Sequence, residues 1–80
     1  MSSENSIEAR IASLTPRERD VLEHLVHGRS NKLTGVALGI SPRTVEIHRG
    51  RVMKKMQAES FSHLVRMALQ AGLLAEIDEE

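Results

Sequence analysis

Apolar residues recur at helical spacing along most of this chain, and strand-like alternation of apolar and polar residues is absent. Thr15-Pro16-Arg17-Glu18 combines a capping hydroxyl, a proline suited to the first helical position and an acid three residues after the cap. The glycine at Gly28 suits a left-handed helix end. The segment between these signals carries its apolar residues at helical spacing, namely Val21, Leu22, Leu25 and Val26. The pattern predicts a helix that begins after Thr15 and ends near Gly28.

Two further helices are predicted with a very short connection between them. Ser30 can cap a helix over residues 31–38, which Gly39 ends. Ser41-Pro42 then repeats the cap-and-proline signal and starts a helix that runs to about Met56. Two helices joined by a short turn that contains glycine are typical of a helix-turn-helix.

The two ends of the chain add less regular signals. Ser60 can cap a fourth helix that ends near Gly72. Residues 6–13 are compatible with a short leading helix or with a linker. The acidic end, from Glu76 to Glu80, is expected to be frayed.

The helix that follows Ser41-Pro42 has two contrasting faces. At about 100° per residue, Val45, Val52 and Met56 form one stripe that is expected to be buried. Ile47 and Gly50 lie opposite. The isoleucine suits an apolar target such as a thymine methyl group, and the glycine would let the helix approach DNA closely. The alternative is a surface that tolerates both residues without using them. The whole outward set comprises Arg43, Glu46, Ile47, Gly50, Arg51 and Lys54.

Charge is distributed unevenly, although the formal net charge of the chain is zero. Residues 15–74 hold ten Lys or Arg against five Asp or Glu, whereas residues 75–80 hold four acids and no base. A basic helix in a folded domain fits a protein that binds the phosphate backbone of nucleic acid. From charge alone, a solvated helix face fits equally well.

Several functional classes are disfavoured. The chain has no cysteine, which removes disulfides and thiolate metal sites. No apolar run approaches the roughly 20 residues of a membrane helix, and no signal peptide is visible, so a cytoplasmic location is expected. His24 and His27 could share a helix face but have no accompanying ligand set. We therefore expect no enzyme activity, no metal, no cofactor, no small-molecule ligand and no membrane contact.

Several dispersed motifs together resemble the LuxR-type helix-turn-helix, in particular the effector domains of FixJ/NarL-like response regulators. The resemblance covers about Ser6 to Leu74, nearly the whole chain. The motifs that carry it, in order, are Leu14-Thr15-Pro16-Arg17-Glu18-Arg19-Asp20-Val21-Leu22, Gly28, Asn31-Lys32, Leu38-Gly39-Ile40-Ser41, Thr44-Val45, His48, Val52, Lys55-Met56 and His63-Leu64-Val65-Arg66-Met67-Ala68-Leu69.

The resemblance implies an all-α, four-helix bundle-like domain over residues 15–74, with a leader over 1–14 and an acidic tail over 75–80. The second and third of the four helices would form the helix-turn-helix. Bases would be read by Glu46, Ile47 and Gly50. Phosphates would be contacted by a larger set of polar residues, namely Asn31, Lys32, Ser41, Arg43, Thr44, His48, Arg49, Arg51, Lys54 and Lys55.

One departure from the family pattern lies early in the second of these helices. Thr34-Gly35 stands where the family usually has Ile-Ala. Thr34 is expected to remove apolar contact from a core position. Gly35 is expected to weaken an already short helix, because glycine costs about 1 kcal/mol relative to alanine.

The fourth helix carries a wide apolar arc, of about 200° against the ~100° that one core requires. In this family the fourth helix commonly forms the dimer contact. The residues assigned to that contact are Leu64, Met67, Ala68 and Ala71. The alternative is a helix packed deeply within a single chain.

The resemblance thus implies a bacterial, sequence-specific transcriptional regulator, either the effector domain of a two-component response regulator or a relative of one. Its partners would be double-stranded DNA and a second copy of the chain on DNA, with RNA polymerase as a further candidate. The alternative function is a helical protein-interaction module that binds a partner regulator.

Overall fold

The computed structural model describes residues 6–73, in which it places five α-helices and no strand. The all-α class is confirmed, and the last four helices are those that the resemblance implied. The predicted tail over residues 75–80 lies outside the described residues, and the division between leader and domain at residue 15 stays a prediction. The helices are α1 (Ile7–Ala12), α2 (Pro16–Val26), α3 (Asn31–Leu38), α4 (Pro42–Met56) and α5 (Phe61–Gln70).

Side-chain hydroxyls cap the N-termini of all five helices. Each cap accepts a hydrogen bond from the backbone N–H three residues later, which satisfies a donor that has no partner within the helix. At α2 the cap is reciprocal: Glu18 N donates to Thr15 Oγ1 at 3.1 Å, and Thr15 N donates to Glu18 Oε1 at 2.9 Å. The helix starts predicted after Thr15, Ser30, Ser41 and Ser60 are confirmed. The five capping residues are Ser6, Thr15, Ser30, Ser41 and Ser60.

The turn between α3 and α4 consists of residues 39–41 and closes tightly against α3. Gly39 adopts φ 72°, and Ile40 N donates to the carbonyl of Gly35 at 2.9 Å. A Cβ atom on Gly35 would lie 2.5 Å from the carbonyl oxygen of Ile40, too close for any real side chain. Gly35 therefore permits the close approach of the turn, a role that helix propensity did not reveal.

Thr34 is fully buried, so the prediction that it occupies a core position is confirmed. Its Oγ1 has no hydrogen-bond partner among residues 6–73. A buried hydroxyl without a partner costs about 1–3 kcal/mol. The first helix of the helix-turn-helix, α3, thus carries a local weakness at Thr34 itself.

Two apolar clusters hold α4 against the other helices. In the smaller cluster, Val45 of α4 packs on Val21 and Leu25 of α2. The larger cluster joins α1, α2, α4 and α5, and consists of Ile11, Leu22, Val26, Val52, Met56, Leu64, Met67 and Ala68. Both clusters engage the same side of α4, so its opposite side is left facing solvent.

The residues assigned to a dimer contact on α5 require a correction. Leu64, Met67 and Ala68 are buried in the larger cluster of the chain's own core. They cannot present their side chains to a second copy while this fold is intact. Ala71 is half-buried, and its role stays a prediction. The wide apolar arc of α5 arises largely because α1, α2 and α4 all contribute to the cluster that covers it.

Candidate nucleic-acid interface

The two faces of α4 lie as the sequence pattern predicted. Val45, Val52 and Met56 are fully buried. The opposite face is exposed along the helix and combines cations, one acid, an isoleucine and a glycine. Its members are Arg43, Glu46, Ile47, Gly50, Arg51 and Lys54, all exposed. This face, called the outward face of α4, has no covering element among the described residues.

Two residues of the outward face are unusual for a solvated helix surface. The Ile47 side chain is 46% exposed although it is large and apolar. A Cβ atom on Gly50 would meet nothing within 4 Å, so packing does not require a glycine there. Glycine in a helix interior costs roughly 0.5–1 kcal/mol relative to alanine. Ile47 thus exposes apolar surface to solvent, and Gly50 gives up helix stability that a larger residue would supply without a clash among the described residues.

The cations of the outward face form no ion pair with any other described residue. Within residues 6–73, Arg43, Arg51 and Lys54 form no salt bridge. An open depression beside them is lined by Thr15, Glu18, Arg51, Lys54 and Lys55. Unpaired cations on one helix face give a surface that attracts polyanions.

The N-terminus of α4 adds two hydroxyl groups to this surface. Ser41 Oγ accepts a hydrogen bond from Thr44 N at 3.1 Å and lies 3.0 Å from Thr44 Oγ1. The helix dipole makes this end partially positive, which favours an anion. Lys32 is also exposed, on α3. The arrangement could hold a phosphate group near Ser41, Arg43 and Thr44.

Lys55 differs from the other predicted phosphate contacts, because it has partners within the chain. Its Nζ lies 2.8 Å from Glu18 Oε1 and donates to the carbonyl of Ser13 at 3.3 Å. The Glu18 side chain is almost entirely buried. Lys55 therefore neutralises a buried carboxylate that also caps α2, a structural role that the sequence analysis missed.

Glu18 should make stability depend on acid pH. The hydrogen bond from Lys55 lowers the pKa of the Glu18 carboxyl, as does the bond from Thr15 N, while burial opposes them. A lowered folded-state pKa means that the stabilisation is complete above the unfolded value, near 4.3, and is lost as pH falls below it. We expect Glu18→Gln to lower the free energy of unfolding by about 1–3 kcal/mol at pH 7. This difference should shrink below about pH 4, where Glu18 itself becomes protonated.

Urea unfolding from pH 7 to pH 3 measures this dependence. The matched control is Glu23→Gln, which removes an equal charge from an exposed pair with Arg19 on the same helix. That change should alter stability by less than about 1 kcal/mol at any pH. A difference for Glu18→Gln that stays constant with pH would contradict the account.

Three other residues that were predicted to contact phosphate are only partly exposed. The Arg49 guanidinium lies over the ring of Phe61, with Cζ 5.5 Å from the ring centroid. His48 is half-buried, and its Nδ1 is enclosed without a partner among the described residues. Asn31 is likewise half-buried with its Oδ1 enclosed. Their roles as phosphate contacts stay predictions, as do those of all the other assigned residues.

Residues 6–73 contain no group of three or more His, Cys, Asp or Glu side chains placed to hold a metal ion. None of the helices in that range has the length and apolarity to cross a membrane.

Comparison with known proteins gives consistent matches. Residues 12–68 match the GerE family, described as bacterial regulatory proteins of the luxR family. The chain is 59% identical over 68 residues to the transcriptional regulatory protein FixJ of Bradyrhizobium diazoefficiens, a match over 85% of this chain and 33% of that protein. It is 56% identical over 68 residues to FixJ of Rhizobium meliloti, again over 85% of this chain and 33% of the relative. The chain thus spans about a third of the length of these curated relatives.

Two solved structures share the fold. Full-length FixJ from B. japonicum superposes with a TM-score of 0.80 at 58% identity, over 86% of this chain and 34% of that one. The solution structure of the C-terminal transcriptional activator domain of FixJ from Sinorhizobium meliloti gives a TM-score of 0.78 at 51% identity. That match covers 95% of this chain and 96% of the activator domain. The described fold therefore corresponds to one complete domain of that protein.

Proposed function

This chain belongs to the luxR family of bacterial regulatory proteins, and from that premise we propose that it binds double-stranded DNA in a sequence-specific manner. The recognition element is α4, whose outward face enters the major groove. The observation that carries the proposal is the exposure of Ile47 beside Gly50 on a face of unpaired cations. The family is one of transcription regulators and not of enzymes.

Readout of the DNA divides between the two kinds of contact that such proteins make. Ile47 contacts a thymine methyl group, Glu46 accepts a hydrogen bond from a cytosine amino group, and Gly50 lets the backbone approach the bases. Arg43, Arg51 and Lys54 neutralise phosphates, and Ser41 with Thr44 holds one at the start of α4. Since bacterial DNA lies in the cytoplasm, the protein acts there.

The two kinds of contact should respond differently to mutation. Arg51→Ala should weaken binding to all duplexes by about tenfold, because a charged hydrogen bond is worth about 1.5 kcal/mol or more. It should also make the slope of log K against log salt less negative by about 0.9, the effect of one lost phosphate contact. Ile47→Ala should instead reduce the ratio of specific to random binding by about tenfold.

Fluorescence anisotropy on a specific and a random duplex, across a salt series, measures both effects. Arg19→Ala is the matched control, because it removes one charge from α2, where Arg19 pairs with Glu23 on the surface. It should change neither the specificity ratio nor the slope by a comparable amount. Equal losses of affinity on the specific and the random duplex for Ile47→Ala would contradict its role in reading a base.

Dimerisation on DNA is a further part of the proposal. Its contact lies on the side of α5 that the core leaves accessible, where Phe61 is 40% exposed and Val65 and Leu69 are half-buried. Phe61, Val65 and Leu69 follow one another at intervals of four residues, so they share one helix face. A symmetric pair of chains would read two half-sites about one DNA turn apart.

Since the chain spans a third of the length of its relatives, we propose that it acts as the effector domain of a longer two-component regulator, or as a relative of such a domain.

A protein contact is the second candidate function, and one observation favours it. On α3, Leu33 is 58% and Val36 is 74% exposed, so two large apolar side chains face solvent beside the recognition helix. RNA polymerase is the candidate partner for this face in a regulator that is bound to DNA. A mainly apolar protein contact would show a shallow salt dependence, whereas DNA binding would show a steep one.

A further inference from the structure

The C-terminal ends of α1 and α4 are joined by two hydrogen bonds that run in opposite directions. Arg10 of α1 donates through Nη1 to the carbonyl oxygen of Met56, the last residue of α4, at 3.2 Å. Lys55 of α4 donates through Nζ to the carbonyl oxygen of Ser13, the C-cap of α1, at 3.3 Å. Each helix thus supplies a cation to the C-terminal end of the other. We call these two bonds the α1–α4 bridge.

The bridge satisfies a group that α4 leaves unpaired by its own geometry. The last four carbonyls of a helix have no partner within it. At the end of α4, Ala58 N donates to the carbonyl of Met53 and Gln57 N to that of Lys54. The carbonyl of Met56 receives Arg10 instead. A cation at this position also interacts favourably with the negative end of the helix dipole.

Arg10 makes further contacts at this position, although its buried Nε has no partner among the described residues. The side chain is half-buried, and Nη1 also lies 3.6 Å from Met67 Sδ of α5. The next residue, Ile11, belongs to the larger core cluster. Because α1 is fixed by both the core and the bridge, it restrains the end of α4 that lies farthest from the turn at residues 39–41.

We propose that Arg10 is a positioning residue for DNA recognition: it fixes the C-terminal end of α4 without contacting DNA. This inference rests on the proposed function. The N-terminal end of α4 is fixed by the Ser41 cap and the tight turn. At the other end, the bridge adds a directional contact to the core packing of Val52 and Met56, and together they set the angle of the helix. Base contacts depend on that angle more than phosphate contacts do, because Ile47 and Gly50 act only where α4 approaches the base edges closely, whereas long, flexible cationic side chains can follow a displaced phosphate.

The test compares Arg10→Met, which keeps the length and removes the donors, with Arg10→Lys, which restores a cation. Hydrogen exchange without DNA is measured first, at the amides of Gln57 and Ala58 and at Val52 as an internal reference. We expect Arg10→Met to speed exchange at Gln57 and Ala58 by about fivefold or more relative to Val52. A general loss of stability would speed all three alike.

DNA binding is then measured at a temperature where each variant is fully folded. Arg10→Met should lower the affinity for the specific duplex by about three- to tenfold and leave random binding and the salt slope unchanged. Arg10→Lys should recover at least half of the lost specificity. Arg19→Met is the control for removal of one positive charge from the surface.

Each outcome decides a separate point. Faster exchange at the end of α4 together with lost specificity and an unchanged salt slope supports the proposal. A slope that becomes less negative by about 0.9 would identify Arg10 as a direct phosphate contact and overturn it. Unchanged exchange would also overturn it. If the unaltered chain binds no duplex selectively, the proposed function fails and the inference with it, while the exchange data still report whether the bridge restrains α4.

Discussion

Replacing Gly50 by leucine should stabilise the fold and remove most of the DNA affinity. Gly50 is exposed in the middle of α4, and a Cβ atom there would meet nothing within 4 Å. Leucine is a better helix former than glycine, so the free energy of unfolding should rise by about 0.5–1 kcal/mol. On DNA, the same side chain would stand between the helix backbone and the base edges. We expect the affinity for a specific duplex to fall about 100-fold, which corresponds to about 2.7 kcal/mol.

The two expected effects have opposite signs, so a loss of folding stability cannot account for the loss of DNA affinity. Urea unfolding gives the first quantity and fluorescence anisotropy the second. Gly50→Ala adds only one carbon and should give a similar gain in stability with a smaller loss of affinity. An unchanged affinity for Gly50→Leu would show that α4 does not approach DNA through this face. A parallel loss of stability and affinity would show that the glycine serves the fold.

Replacing Leu64 by alanine should destabilise the single chain severely. Leu64 is fully buried in the cluster that joins α1, α2, α4 and α5. Leucine-to-alanine changes in protein cores cost about 2–5 kcal/mol, which includes the cavity that remains. For a domain of 80 residues this is a large share of a total stability on the order of 5–10 kcal/mol.

The matched control is Leu69→Ala, which makes the same truncation at a half-buried position of the same helix. It should cost about 1 kcal/mol or less, and it should weaken cooperative binding to a two-half-site duplex if this side of α5 forms the dimer contact. Thermal unfolding and sedimentation of both variants separate the two roles. A Leu64→Ala variant with unchanged stability and impaired dimerisation would restore the original assignment of Leu64 to the dimer contact.

The helix boundaries and the faces of α4 could be predicted because the signals are local. Thr15, Ser30, Ser41 and Ser60 each bond to an N–H three residues later, so the capping chemistry is contained in four consecutive residues. The exposure of Ile47 followed from the periodicity of one helix. Family membership followed from motifs whose order and spacing are visible in the chain.

The contacts that the sequence could not predict are distant along the chain. Lys55 and Glu18 are separated by 37 residues, and Arg10 and Met56 by 46. A helical wheel of α4 places Lys55 at the edge of the exposed face, but it does not show that the Glu18 carboxylate lies opposite. Lys55 was therefore assigned to phosphate alone.

The assignment on α5 failed for a related reason. The width of an apolar arc shows how much surface must be covered, but it does not show which element covers it. Ile11, on the short α1, supplies part of the cover, and the sequence left that segment open between a helix and a linker. The packing role of Gly35 was not predicted because it depends on the path of the turn at Ile40, which helix propensity does not include.

Selection of binding sites from random duplex DNA, followed by affinity measurements at two salt concentrations, tests sequence-specific DNA binding most directly. We predict enrichment of an inverted repeat with half-sites about one helical turn apart. The affinity for the enriched duplex should fall steeply between the two salt concentrations. Failure to enrich any sequence, together with an affinity that salt does not change, would contradict DNA binding by α4 and favour a protein partner for this domain.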